Sequence, residues 1–546
     1  MSSIVDEYAA KRAFTARSDR VIIRPMSDSL SARLEAAVSA LPVRFPGPGG
    51  AVAVVKDGEV LVRHTWGYAN AERRLPFTPS SLFRMCSITK QFTCGVLLDL
   101  FQDPSELDGD VDDRLPQLDE PAPGALHLAH NQSGLRDYWA VAMLHGAPVE
   151  GFFGDREGRR VIDGTRTLQF QPGTSYSYVN QNFRLLSDIL EDRTGRNFAE
   201  LLQTSIFNPV GMERAILAAE TRAMPDGTVG YEGTVESGFR PAVNNIWWTG
   251  DAGLGASLDD MIAWERFIDA TRDDPDGLYN RLTTPVTFRD GEAAPYGFGL
   301  QRTSLFGRDV TMHGGALRGW RSHRLHVASE RLSVVVMFNH MSPAQVAAGQ
   351  ILAAALGVPY EPDRTTQPPH ELYGTFIERE TGLSARIEPA PGGAKLRYLM
   401  VPEMLEGVSA SRAETPGVQI VRQGDEIRME RPGENRVGIL TTCDETAGED
   451  IEALEGVYRC EELDEAEVTI ELAGGVVYGG FSGFLGNGRM EPLQRLARDV
   501  WVLPCPRALD HTAPGDWTLL FERDSSGVNT VKVGCWLARD LVYRRA

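Results

Sequence analysis

The chain has 546 residues and a net charge of −20 spread without long single-sign blocks, which argues against nucleic acid or an anionic membrane as a partner. That length is too great for one hydrophobic core, so roughly two to four domains are expected. No apolar run approaches the roughly eighteen residues needed to cross a bilayer. No GxGxxG, P-loop or HExxH pattern occurs, so no cofactor and no metal are predicted.

Residues 1–25 read as a polar arm with charges of both signs and no apolar h-region, hence not a secretory signal. Ser29 to Leu41 is the first clean amphipathic pattern, which makes Met26 a candidate start. Pro46-Gly47-Pro48-Gly49-Gly50 punctuates the chain before an apolar strand, Ala51 to Val55. Asp57-Gly58 then signals a hairpin into a return strand from Val60. Six sparse cysteines without metal-ligand spacing predict free thiols in a reducing cytoplasm.

Ser87-Ile88-Thr89-Lys90 opens a run, Gln91 to Phe101, that is apolar on nearly every face and so describes a buried helix. Ser87 and Lys90 then lie one helical turn apart on one face. A serine hydroxyl is a poor nucleophile until a neighbouring base takes its proton, and an amine kept neutral by burial can do so. Taken alone the pattern is weak, because the same spacing suits an ordinary capped helix start.

Further along, Leu128 to Tyr138 holds His130-Asn131-Gln132-Ser133-Gly134-Leu135. A turn, Pro172 to Asn180, carries Tyr176, Tyr178 and Asn180, and two helices separated by Gly195 follow over 182–207. Another amphipathic helix is predicted over 257–271. Val310 to Ala316, with His313-Gly314-Gly315, leads to strands Arg321–Val327 and Leu332–Asn339, and an alanine-rich helix over 343–356 closes the region. After a Pro-rich linker, 359–369, helical periodicity gives way to short alternating segments. Leu372-Tyr373-Gly374-Thr375-Phe376 and Leu454-Glu455-Gly456-Val457-Tyr458 begin alike, and a repeat of about 80 residues suggests two related small β-barrels. The expected organisation is an α/β domain over 26–358, with a central antiparallel sheet flanked by helices, then barrels over 370–448 and 449–546.

Tyr178-Val179-Asn180 and His313-Gly314-Gly315 supply what Ser87 lacked. A phenol poised by cations can relay a proton, a side-chain amide can orient Lys90 or a substrate carbonyl, and paired glycines let a strand approach a ligand closely. With S-x-x-K, Y-x-N and H-x-G in this order, the chain resembles the serine β-lactamase and penicillin-binding superfamily. Within it, residues 27–546 resemble the bacterial D-aminopeptidases, notably over Cys86–Asp99, Asn131–Ala140, Gly250–Asp274, Pro295–Leu300 and His313–Trp320.

The resemblance implies that Ser87 attacks the carbonyl of an N-terminal D-residue, with Lys90 and Tyr178 moving protons and His313 in the place of the lysine of K-T-G enzymes. It implies an oxyanion hole from the N–H groups of Ser87 and Ala316, with Asn180 orienting the substrate, small D-amino acid peptides or amides as substrates, and a homodimer. It also implies that a loop of the last barrel enters the cleft. The matching stretch is Pro506-Arg507-Ala508-Leu509-Asp510-His511-Thr512-Ala513-Pro514-Gly515-Asp516, with Asp510 where the amine-binding carboxylate is expected. Gln301 stands where the family pattern has an asparagine near the amine. Other serine hydrolases of this fold (an esterase, a D-amino acid amidase, a D,D-carboxypeptidase) remain alternatives, as does a non-catalytic D-peptide-binding protein.

Overall fold

The structure is a computed structural model and describes residues 28–360, 366–443, 450–509, 513–525 and 527–546. The arm over 1–25 and Asp510 to Thr512 therefore lie outside the described residues.

Asp57 and Gly58 take φ of 53° and 72°, the left-handed pair that a two-residue hairpin requires, and they fold the first long strand back on the second. The central sheet is built from β1 (Gly49–Lys56), β2 (Glu59–Asn70), β3 (Leu75–Pro76), β4 (Tyr296–Gly297), β5 (Leu300–Leu305), β6 (Arg308–Leu317), β7 (Trp320–Val327) and β8 (Leu332–Phe338). Their spatial order is β4-β5-β6-β7-β8-β1-β2-β3, and neighbours pair antiparallel. Chain ends thus meet in the middle, where β8 pairs with β1.

Alternation along these strands sorts side chains onto two faces. Val52, Val54, Val334 and Val336 face helices α1 (Asp28–Arg44) and α6 (Ala344–Leu356) through Leu34, Val38, Leu41, Ala347 and Ile351. Ala51, Ala53, Val335 and Met337 face the other way, in the cluster that holds α2 (Thr89–Leu100), α3 (Tyr138–Leu144), α4 (Gln181–Thr194) and α5 (Leu258–Ala270). The expected α/β layering is thus present. No helix among the described residues is long and apolar enough to cross a membrane.

Behind this domain, eight strands from Gly374–Glu378 to Arg436–Thr442 close into a barrel. The second β module is a ten-stranded antiparallel sheet, a half-barrel whose strand order stays open among the described residues. The two begin alike, as the sequence suggested. Short 3-10 turns at His370–Leu372 and Glu452–Leu454 lead to Gly374 and Gly456, with φ of 152° and 155°, and then to strands Gly374–Glu378 and Gly456–Cys460.

Candidate active site

Ser87 sits in a 3-10 turn, Cys86–Ile88, that runs directly into α2. The turn begins with Cys86 at φ 54°, a left-handed value that costs a non-glycine residue about 1 kcal/mol or more. Hydrogen bonds fix it: Met85 N–H donates to the Leu254 carbonyl at 2.9 Å, and Thr89 Oγ1 to the Cys86 carbonyl at 2.5 Å.

One turn on, Lys90 is fully buried. Its Nζ lies 3.2 Å from Ser87 Oγ and donates to Asn180 Oδ1 at 2.9 Å and to the Asp251 carbonyl at 2.8 Å. Burial pulls its pKa down to about 8, although the buried carboxylates Asp251 and Asp137 pull the other way. At neutral pH about one molecule in ten then carries the free amine. Tyr178 hydrogen-bonds to Ser87, and its ring lies 4.9 Å from Lys90 Nζ. Burial raises this phenol well above its ordinary value, so it rests as a neutral proton donor.

His313 is neutral for the same reason. Burial, with Lys90 nearby, lowers its pKa to about 3. Its Nδ1–H donates to the Gly314 carbonyl at 2.6 Å, which leaves Nε2 to accept from the Tyr296 hydroxyl at 3.0 Å. It therefore stands beside Tyr178 and Tyr296 without carrying a charge.

The strand bearing His313 approaches the serine turn because of two glycines. A Cβ on Gly315 would stand 2.2 Å from the Met85 carbonyl oxygen and 2.3 Å from Ser322 Oγ. A Cβ on Gly299, in the β4–β5 turn, would stand 2.4 Å from the Lys90 backbone. Pairing of β5 with β6 ends at Gln301↔Met312, so from His313 to Leu317 one edge of β6 carries no strand partner and is open toward the Met85–Ser87 turn. Ala316 lies on that edge-exposed stretch, three residues before the β6–β7 turn ends at Gly319.

Gln301 is exposed and is paired with Met312 of β6 on one side and with Tyr296 of β4 on the other, the residue whose hydroxyl bonds His313. Asp510, with His511 and Thr512, is outside the described residues, but both stems of its loop are clear. Pro506 lies at the base of the first stem, where Arg507 donates to Glu150 at 2.8 Å and pairs with Glu232. Ala508 and Leu509 are buried, and Arg318 donates to the Ala508 carbonyl. On the return, Ala513 packs on the core, Pro514 is buried, Gly515 lies by the Leu399 carbonyl, and Asp516 pairs with Arg386 at 3.1 Å.

Three participants carry no motif signal. Asp137 accepts from Asn180 N and Nδ2 at 2.6 and 2.8 Å, and Asp251 accepts from the Tyr138 hydroxyl at 2.7 Å while offering its carbonyl to Lys90. Tyr296 is the third. In a sequence the two aspartates look like turn residues, and only the fold turns them inward. The barrel also contributes. The Glu434 carbonyl accepts from Tyr176 N at 3.2 Å and Ser175 Oγ at 2.5 Å, just before the Y-x-N segment.

Comparison with known proteins agrees with this architecture in both halves. Residues 36–358 match the β-lactamase family, and residues 365–544 match the family described as D-aminopeptidase, domain B. The chain is 84% identical over 524 residues to a D-aminopeptidase of Gluconobacter oxydans (strain 621H), covering 95% of this chain and 100% of that one. It is 45% identical over 522 residues to a D-aminopeptidase of Brucella anthropi, covering 95% and 99%. Among solved structures, the octameric penicillin-binding protein homologue from Pyrococcus abyssi aligns with a TM-score of 0.52 at 21% identity, covering 75% of this chain and 99% of that chain, a likeness of fold. Identity sustained through the catalytic domain and both β modules places this chain in the D-aminopeptidase family of β-lactamase-fold serine hydrolases.

Proposed function

We propose that this enzyme removes an N-terminal D-residue, of the D-alanine kind, from small peptides, amides and esters through an acyl-enzyme on Ser87. The observation that carries the reading is the 3.2 Å separation of Lys90 Nζ from Ser87 Oγ inside a buried network. Neutral Lys90 takes the Ser87 proton as Oγ attacks the carbonyl carbon, and the N–H groups of Ser87 and Ala316 receive the oxyanion. As the C–N bond breaks, the Tyr178 hydroxyl gives its proton to the leaving amine and is reprotonated from Lys90. Water then attacks the ester, Lys90 takes the water's proton and passes it to Ser87 Oγ as the ester C–O bond breaks, and the D-amino acid is released with both residues in their starting states. Asn180 holds Lys90, and neutral His313 shapes the cleft beside Tyr178 without adding charge.

Free-amine selectivity comes from the 506–516 loop, with Asp510 as the carboxylate that meets the substrate ammonium. Supporting this, the first stem of that loop is anchored to Arg318, just past Ala316. The family resemblance also implies a homodimer, and the sparse free thiols a cytoplasmic location, which sedimentation and fractionation would measure.

The test is turnover of D-Ala-p-nitroanilide beside its L-form and its N-acetyl form, with Ser87→Ala as control. The D-form alone should be cleaved, and a slow substrate should leave a mass adduct on Ser87 of the unsubstituted enzyme. Equal cleavage of the acetylated compound, or turnover by Ser87→Ala, would overturn the proposal.

A further inference from the structure

Strands Gly527–Cys535 and Ala538–Arg545 of the last module are joined by Trp536 and Leu537. A turn tip ordinarily lies in solvent, yet these two residues are 6% and 1% exposed. They are docked on the catalytic domain. The Leu537 carbonyl accepts from Asp137 N at 2.9 Å, and the preceding residue, Arg136, donates from Nε to the Arg539 carbonyl at 2.7 Å. Trp536 Nε1 donates to Glu434 at 3.1 Å, which ties the tip to the barrel as well.

Asp137 does more than cap α3. One oxygen accepts from Trp139 N at 2.9 Å, as a cap should. The other collects both N–H donors of Asn180, from backbone and side chain. An ionised carboxylate only accepts, so it forces the Asn180 NH2 group toward itself and thereby turns Oδ1 toward Lys90, 2.9 Å away. The orientation of the Y-x-N amide is set by Asp137.

We infer that Asp137 is a positioning residue for Lys90, acting through Asn180, and that the Leu537 tip holds Asp137 in place, making the C-terminal sheet part of the catalytic apparatus. The inference rests on Lys90 being the proton acceptor for Ser87. The charged and titratable groups around Asp137 are Lys90, Tyr178, Tyr138 and Cys535, and Lys90 also faces Asp251, Cys86, Cys94 and His313. Burial raises Asp137 to about 6, so it is an anion wherever Lys90 loses its proton, and that charge raises the Lys90 pKa. Removing the charge therefore shifts the acid limb of the rate profile to lower pH.

Asp137→Asn should lower kcat about ten- to a hundredfold with little change in KM, and move the acid limb of the pH profile downward. Arg136→Gln, and separately a glycine inserted between Leu537 and Ala538, keep the charge and should each lower kcat about three- to tenfold with the limb unmoved. Since both act through the same carboxylate, combining either with Asp137→Asn should add almost nothing. An unmoved limb in Asp137→Asn, losses that multiply, or full activity in both tip variants would overturn the inference. Should Asp137→Asn not fold, the two tip variants decide alone: full activity, or a combined loss equal to the product of the single ones, overturns it. Lys90→Met separates this from the underlying reading, because turnover surviving there removes Lys90 as acceptor, whereas an intact Asp137→Asn beside a dead Lys90→Met removes only the positioning role.

Discussion

Arg318 stands two residues beyond Ala316 and donates its guanidinium to the Ala508 carbonyl, so the strand proposed to bind the oxyanion and the loop proposed to bind the amine are hydrogen-bonded neighbours.

From that contact follows the behaviour of the loop. A charge-assisted bond to the substrate ammonium is worth roughly 1.5–3 kcal/mol, about ten- to a hundredfold in kcat/KM. Asp510→Asn should weaken D-Ala-anilide hydrolysis by that factor. Deleting 507–514 should lower free-amine substrates further while N-acetylated or penicillin-like substrates gain, because the cleft opens. A folded deletion that loses both classes together would make the loop mere surface.

On the proposed mechanism Lys90 should govern the pH dependence. Its pKa lies below the ordinary lysine value, at about 8, and the form proposed to react is the neutral one. The rate should therefore rise with pH through about 8 and flatten above it. Lys90→Arg, which keeps its proton at any working pH, should lose acylation almost wholly, measured as the burst of product in stopped flow.

His313 should contribute no step near its usual pKa, because burial keeps it neutral from pH 4 upward. Tyr296→Phe removes the hydroxyl that donates to His313 Nε2 and leaves a buried acceptor unpaired, at about 1–3 kcal/mol. The expected result is a lower thermal midpoint and a several-fold lower kcat, with the pH profile unchanged. A new limb near pH 6 in the variant would show that Tyr296 keeps the imidazole from protonating.

Gly315→Ala is a test of the close approach between β6 and the serine turn. The added methyl meets a backbone carbonyl, which cannot swing aside as a side chain can. Overpacking of this kind costs about 1–3 kcal/mol, and the displaced strand carries Ala316 away from Ser87. Activity should fall at least tenfold, with stability reduced by denaturant titration. Wild-type kcat would mean that the strand relaxes freely.

Ser87, Lys90, Tyr178, Asn180 and His313 were legible because each belongs to a short run whose spacing has a chemical meaning, and the fold brings all five together. Asp137 and Asp251 were not legible, since their roles depend on burial and on backbone groups contributed by distant segments. Gln301 pairs with Tyr296, the residue that hydrogen-bonds His313, a neighbourhood that position along the chain alone does not reveal. The repeat was visible in Leu372–Phe376 and Leu454–Tyr458, whereas closure of one sheet and not the other depends on strand pairing that spans each module.

The grip of Glu434 on Ser175 and Tyr176 has a bearing on biosynthesis. A ribosome delivers the nucleophile long before residue 434, so the emerging chain presents Ser87 while the support for its tyrosine segment is still unwritten. A hydrolase exposed in that interval is expected to stay disarmed until that support is made. Chains stalled on the ribosome ahead of Glu434 should accordingly fail to react with a mechanism-based acylating probe, and released full-length chains should label.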